Sequence, residues 1–160
     1  MEEKGIDDNR KTWMLRLYSY AAISDIDRME KILLKMEADP LVTINWCGYV
    51  AAAKAFMKAG QLEKAFTLLN QSEKLVGKNA RRIAYECLLA LYAAIGKKDE
   101  VYRIWNLYKN MGKFNNNGYR SMLKSLVKMD DIVGAEKIVE EWESEFKQFD
   151  IQLPNLLVNA

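Results

Sequence analysis

Three cations recur at one-turn intervals near the end of the chain: Arg120, Lys124 and Lys128. Side chains four apart share one side of a helix, so the three make a single basic row. Lys54 and Lys58 make a shorter row of the same kind, and Arg81 with Arg82 adds two guanidiniums. The chemistry of such rows is electrostatic. Each cation that neutralises a phosphate releases a condensed counterion, which makes a nucleic-acid backbone the natural occupant of a basic track. The other reading of the same rows is a solubilising helix face.

Bond-breaking chemistry has less to work with. The 160-residue chain contains no histidine, no glycine-rich phosphate loop and two cysteines, Cys47 and Cys87. No catalytic residue, metal site or cofactor is therefore expected. The cysteines read as small buried thiols in a reducing compartment. The acidic run from Glu140 to Glu145 fans around a helix axis and reads as a solvated face. No apolar run approaches the ~18 residues of a membrane span, so no membrane partner is expected.

The elements that must position the basic rows come from a repeat. Four segments say nearly the same thing: "TWMLRLYSYAAISDIDRMEKIL", "GYVAAAKAFMKAGQLEKAFTLL", "AYECLLALYAAIGKKDEVYRIW" and "GYRSMLKSLVKMDDIVGAEKIV". Aligned, they place Trp13, Tyr49, Tyr85 and Tyr119 in one column, at steps of 36, 36 and 34 residues. The same offsets align Leu17, Ala53, Leu89 and Leu123; Tyr20, Phe56, Tyr92 and Leu126; Met29, Ala65, Val101 and Ala135; and Leu33, Leu69, Trp105 and Val139. These columns read as inter-helix core. Apolar residues at three- and four-residue spacing, with only two prolines, give an all-α fold class.

A turn column of Ser24, Gly60, Gly96 and Asp130 divides each copy into two helices. The first helices are expected near 10–22, 46–59, 81–95 and 116–129, and the second near 25–37, 61–75, 97–111 and 131–147. Ser24 with Asp27 is expected to form a capping box, and Asp130 to cap the last helix. The repeats are then 10–45, 46–81, 82–115 and 116–150, with 1–9 ending a preceding repeat and 151–160 starting a following one. One hairpin cannot bury its apolar face alone, so neighbours stack into an α-solenoid, a right-handed superhelix with a concave side. On this reading the chain is a piece of a longer array, and Trp142 and Leu153 are the apolar residues at risk near its end.

Charge is sorted by helix. The first helices carry Arg10, Lys11, Arg16, Lys54, Lys58, Arg81, Arg82, Arg120, Lys124 and Lys128 against one acid, Glu86, while the second helices carry more acids than bases. First helices lining the concave side would turn these cations into a track for an anionic ligand.

The repeat resembles the pentatricopeptide repeat, on the strength of "GYVAAAKAFMKAGQLEKA" and the closing "RMEKILLKM". The tetratricopeptide alternative wants glycine where this chain has Leu17, Ala53, Leu89 and Leu123. The resemblance implies a plant organellar RNA-binding protein without catalysis, supporting RNA processing, stability or translation. Its implied partner is single-stranded organellar RNA, and its implied compartment the mitochondrion, with the chloroplast as alternative. It also implies base-facing pairs: Met14 with Asn45, Val50 with Arg81, Glu86 with Asn115, and Arg120 with Asp150. Met14 and Val50 cannot hydrogen-bond a base edge, and Glu86 repels phosphate, so base specificity is expected to be weak or non-standard. The alternative function is a protein-interaction scaffold, with protein partners in the groove or at the exposed ends.

Overall fold

The computed structural model describes residues 2–112 and 116–145, with side chains from Thr12 onward. Among the described residues there is no strand. Eight α-helices run in order among these residues: α1 (Glu2–Ala22), α2 (Ile26–Ala38), α3 (Trp46–Lys58), α4 (Leu62–Lys74), α5 (Arg81–Ala94), α6 (Lys98–Lys109), α7 (Asn116–Lys128) and α8 (Ile132–Glu145). A short 3-10 turn, Lys78–Ala80, precedes α5. The chain divides after Val76 into two compact units, α1 to α4 and α5 to α8. Each unit holds two hairpins joined through their first helices, α1 against α3 and α5 against α7. The fold is all-α and built of repeated helical hairpins, as the sequence period predicts.

The turn column explains why each hairpin folds back. Ser24, Gly60, Gly96 and Asp130 all take positive φ, at 59, 78, 75 and 59°. In each turn the residue after this position donates its N–H to a carbonyl five residues back: Asp25 to Tyr20, Gln61 to Phe56, Lys97 to Tyr92 and Asp131 to Leu126. The column residue itself donates to the carbonyl three back, completing a Schellman closure four times over. Left-handed backbone costs a residue with a Cβ about 1 kcal/mol, and Ser24 and Asp130 bear that cost. Ser24→Gly and Asp130→Gly are therefore each expected to raise unfolding free energy by about 0.5 kcal/mol, the relief being partly offset by glycine's freedom in the unfolded chain. Gly96→Ser should lower it by a similar amount, since a Cβ there meets nothing within 4 Å and only backbone strain is at stake. Urea titrations of the three variants check both signs.

The apolar columns form the core. Leu17, Ala53, Leu89 and Leu123 are fully buried, as are Met29, Ala65, Val101 and Ala135. The leading aromatic column is less uniform: Tyr119 is buried, while Trp13, Tyr49 and Tyr85 are half-buried.

Four expectations change. The cap of α2 is Asp25, whose carboxylate accepts from the Arg28 N–H at 3.3 Å, and not Ser24. Likewise Asp131, not Asp130, accepts from the Gly134 N–H at 3.0 Å. In both turns the upstream residue is committed to left-handed backbone, which passes the N-cap role to its neighbour. α1 begins at Glu2, so residues 2–9, left outside the first helix expected near 10–22, are helical backbone; no proline there stops the helix from extending toward its amino end. Trp142 is only 1% exposed, because its own hairpin covers it and its indole N–H donates to Asn116 Oδ1 at 2.9 Å. Leu153 lies outside the described residues.

Candidate nucleic-acid interface

On α3, Cys47, Ala51, Lys54 and Lys58 follow one another at three- and four-residue steps along the side away from the core. Lys54 and Lys58 are exposed and have no ion-pair partner among the described residues. Cys47 is exposed too, unlike the buried thiol expected, because it sits in this outward row; Cys87 is half-buried. In the second unit the row recurs on α7 as Asn117, Ser121, Lys124 and Lys128, again with both lysines exposed and unpaired among the described residues. Arg120 stands at the edge of this row, half-buried, with Nη1 donating to Asn117 Oδ1 at 3.3 Å. At the start of α5, Arg81 is exposed and Arg82 half-buried.

The equivalent positions on the neighbouring first helices are mostly apolar. On α1 they are Lys11, Leu15, Tyr18 and Ala22, with Leu15 66% exposed; on α5 they are Ile83, Cys87, Ala90 and Ala94, with Ile83 67% exposed. The two rows of the first unit meet at Tyr18 and Cys47: burial, then the nearby thiol, pushes the Tyr18 phenol above its ordinary value. Each unit therefore sets an apolar row on one first helix and a basic row on the next. Sorting residues by charge could not find the apolar rows; the signal for them is the exposure of large apolar side chains on the outward side of α1 and α5. Chemically, such a surface offers cations to phosphates and apolar ground to unstacked bases.

The positions given by the family resemblance have varied surroundings. Met14 and Asn45 converge on the start of α3, where a Cβ on Gly48 would stand 3.1 Å from Met14 Cε and Asn45 Oδ1 accepts from the Gly48 N–H at 2.9 Å. Asn45 is thus the N-cap of α3. Val50 is 6% exposed. Glu86 is half-buried, and its Oε1 accepts from the Tyr108 hydroxyl at 3.1 Å. Asn115 and Asp150 lie outside the described residues.

Polar links brace the second unit beneath its basic row. Tyr102 donates to Asp131 Oδ2 at 2.6 Å, and Lys98 reaches the same oxygen at 3.1 Å. The Tyr102 hydrogen bond, against the opposing effect of burial and with help from Gly134 and Lys98, holds the Asp131 carboxyl below its ordinary value. The Tyr102 phenol is pushed up to about 12, chiefly by burial. These groups join α6 to the start of α8.

No family model matches the chain. Among curated proteins, it is 44% identical over its whole length to a mitochondrial pentatricopeptide repeat-containing protein of Arabidopsis thaliana, covering 33% of that protein. Another mitochondrial pentatricopeptide repeat-containing protein of the same plant is 33% identical over the whole chain, with 32% of its own length covered. The Arabidopsis large ribosomal subunit protein mL101 is 37% identical over 76% of the chain, with 25% of its length covered. The chain spans about a third of the length of the first two of these relatives.

Proposed function

The chain belongs to the pentatricopeptide repeat family, whose helical hairpins stack as a solenoid, and from that premise we propose that it binds single-stranded RNA without catalysis, as part of a mitochondrial protein. We assign its repeats to residues 10–45, 46–81, 82–115 and 116–150. The observation that carries the reading is the pair of basic rows, Lys54 with Lys58 and Lys124 with Lys128, exposed and uncompensated among the described residues. Cations held without acidic partners on one side of first helices are what a phosphate backbone needs. The mitochondrial names of several relatives support the compartment. Base selection is weak on this reading, because Val50 is buried and apolar, Asn45 is engaged as a helix cap, and Glu86 opposes phosphate. RNA processing, stabilisation and translation are the roles such binding serves.

Fluorescence anisotropy with short single-stranded RNAs of several sequences, each titrated across a potassium chloride series, tests the reading. The logarithm of the association constant should fall with the logarithm of salt at about −0.7 per phosphate contact, hence near −3 if the four exposed lysines all engage. The slopes should agree between sequences. Absence of binding, or binding indifferent to salt, would favour the second reading, a protein scaffold. That reading draws on the ribosomal relative.

A further inference from the structure

A cleft of about 230 Å3 opens between α1 and α2, lined by Arg16 and Tyr20 from α1 and by Arg28, Lys31, Ile32 and Lys35 from α2. Four of these six side chains are cations. α2 achieves this by dividing its charges between two sides. Arg28, Lys31 and Lys35, at steps of three and four, face the cleft, whereas Glu30 and Glu37 line a separate groove with α4 residues such as Glu63 and Lys64. Asp25 Oδ2 lies 3.5 Å from Arg28 Nε, while Arg16, Lys31 and Lys35 pair with no acid among the described residues. Four cations facing one another across a concave surface repel, and a bound anion removes that repulsion.

The repeat register supplies an independent observation. Arg16 falls in the column of Ala52, Leu88 and Met122, all three fully buried and apolar. In the second hairpin the equivalent face seats α2: Phe56 and Leu68 line the groove with Leu33 and Leu34, and Lys64 Nζ meets Glu30 Oε1 at 3.0 Å. The first hairpin keeps the outline of that seat, with Tyr20 for Phe56 and Ile32 for Leu68. It replaces Ala52, Thr67 and Gln71 by Arg16, Lys31 and Lys35. A helix seat needs small or apolar side chains at its packing positions, and these are long and charged.

The geometry points to this cleft as a phosphate site, its ligand the backbone of a bound RNA, outside the basic rows of α3 and α7. The assignment rests on the RNA-binding reading. Arg16 and Arg28 offer planar forks that match phosphate oxygens, Lys31 and Lys35 act as point charges, and Tyr20 adds a hydroxyl at the wall. Sorting charge by whole helices hid the site, since Glu30 and Glu37 of α2 offset its bases in the sum although they line the other groove.

Two measurements on the full chain test it with fluorescein-labelled single-stranded RNA as probe. In the first, Lys31→Ala/Lys35→Ala should make the salt slope of binding shallower by about 1.4, and Lys31→Arg/Lys35→Arg should restore it. The RNA-free thermal midpoint of the alanine variant should hold or rise, because like charges have been removed. In the second, RNA should protect Lys31 and Lys35 of the unaltered protein from acetylation read by mass spectrometry, which does not depend on any variant folding. Protection of Lys124 and Lys128 without Lys31 and Lys35, with an unchanged slope, would overturn the cleft and leave the RNA reading standing. Protection of no lysine would overturn both. Protection of the cleft lysines by polyglutamate but not by RNA would overturn it in favour of an acidic protein segment.

Discussion

Replacing Arg120, Lys124 and Lys128 together by alanine should weaken RNA binding to a similar degree for every sequence tested and flatten its salt dependence. The two exposed lysines account for about 1.4 units of slope, and Arg120 raises this to about 2 if it turns from Asn117 to a phosphate. The loss should be uniform across sequences because phosphate contacts position a strand without reading it. Lys124 and Lys128 are exposed and form no ion pair among the described residues, so removing them should change stability by no more than a few tenths of a kcal/mol. Arg120 is half-buried, and a Lys124→Ala/Lys128→Ala variant separates its packing from its charge. That double variant should stay folded by circular dichroism and show about two thirds of the triple variant's slope change. Binding equal to the parent in both variants would move the function to the protein-scaffold reading.

The residues that made the fold legible are those whose column repeats. Leu17, Ala53, Leu89 and Leu123 recur because each hairpin must present the same side chain to the same core, and all four are fully buried. The turn column was legible for a different reason: two of its members are glycines, and all four share positive φ. The caps of α2 and α8 were misplaced by one residue. In "SD" and "DD" either residue can cap, and the choice falls to the backbone, which claims the first for the left-handed turn. The basic rows on α3 and α7 could be seen because lysine is exposed almost wherever it occurs. Leu15 and Ile83 could not, because an apolar residue in a helical repeat reads as core until its side of the helix is known. The environment of Glu86 was hidden as well, since the tyrosine that holds it comes from α6, 22 residues later.

The same tyrosine makes Gly118 the position where one methyl group should cost most. A Cβ at Gly118, in the first turn of α7, would stand far inside van der Waals contact of Tyr108 Cε1, Cζ and the hydroxyl oxygen. The ring has little room to yield. Tyr108 is 1% exposed and stacks on Trp105 with centroids 5.6 Å apart, and Trp105 in turn meets the edge of Tyr119 at 5.1 Å. Overpacking of this kind costs about 1–3 kcal/mol, against roughly 1 kcal/mol that alanine gains over glycine in a helix. Gly118→Ala should therefore destabilise by up to about 2 kcal/mol net, visible as a lower urea midpoint with unchanged steepness. Gly77→Ala is the control, since its Cβ meets nothing within 4 Å and its φ is negative; it should be neutral or slightly stabilising. If the clash with Tyr108 is the cause, Tyr108→Leu/Gly118→Ala should cost less than the two single changes combined. Full additivity would place the cost of Gly118→Ala elsewhere. With the ring displaced, Glu86 loses its hydroxyl donor, and RNA affinity should change in Gly118→Ala but not in Gly77→Ala.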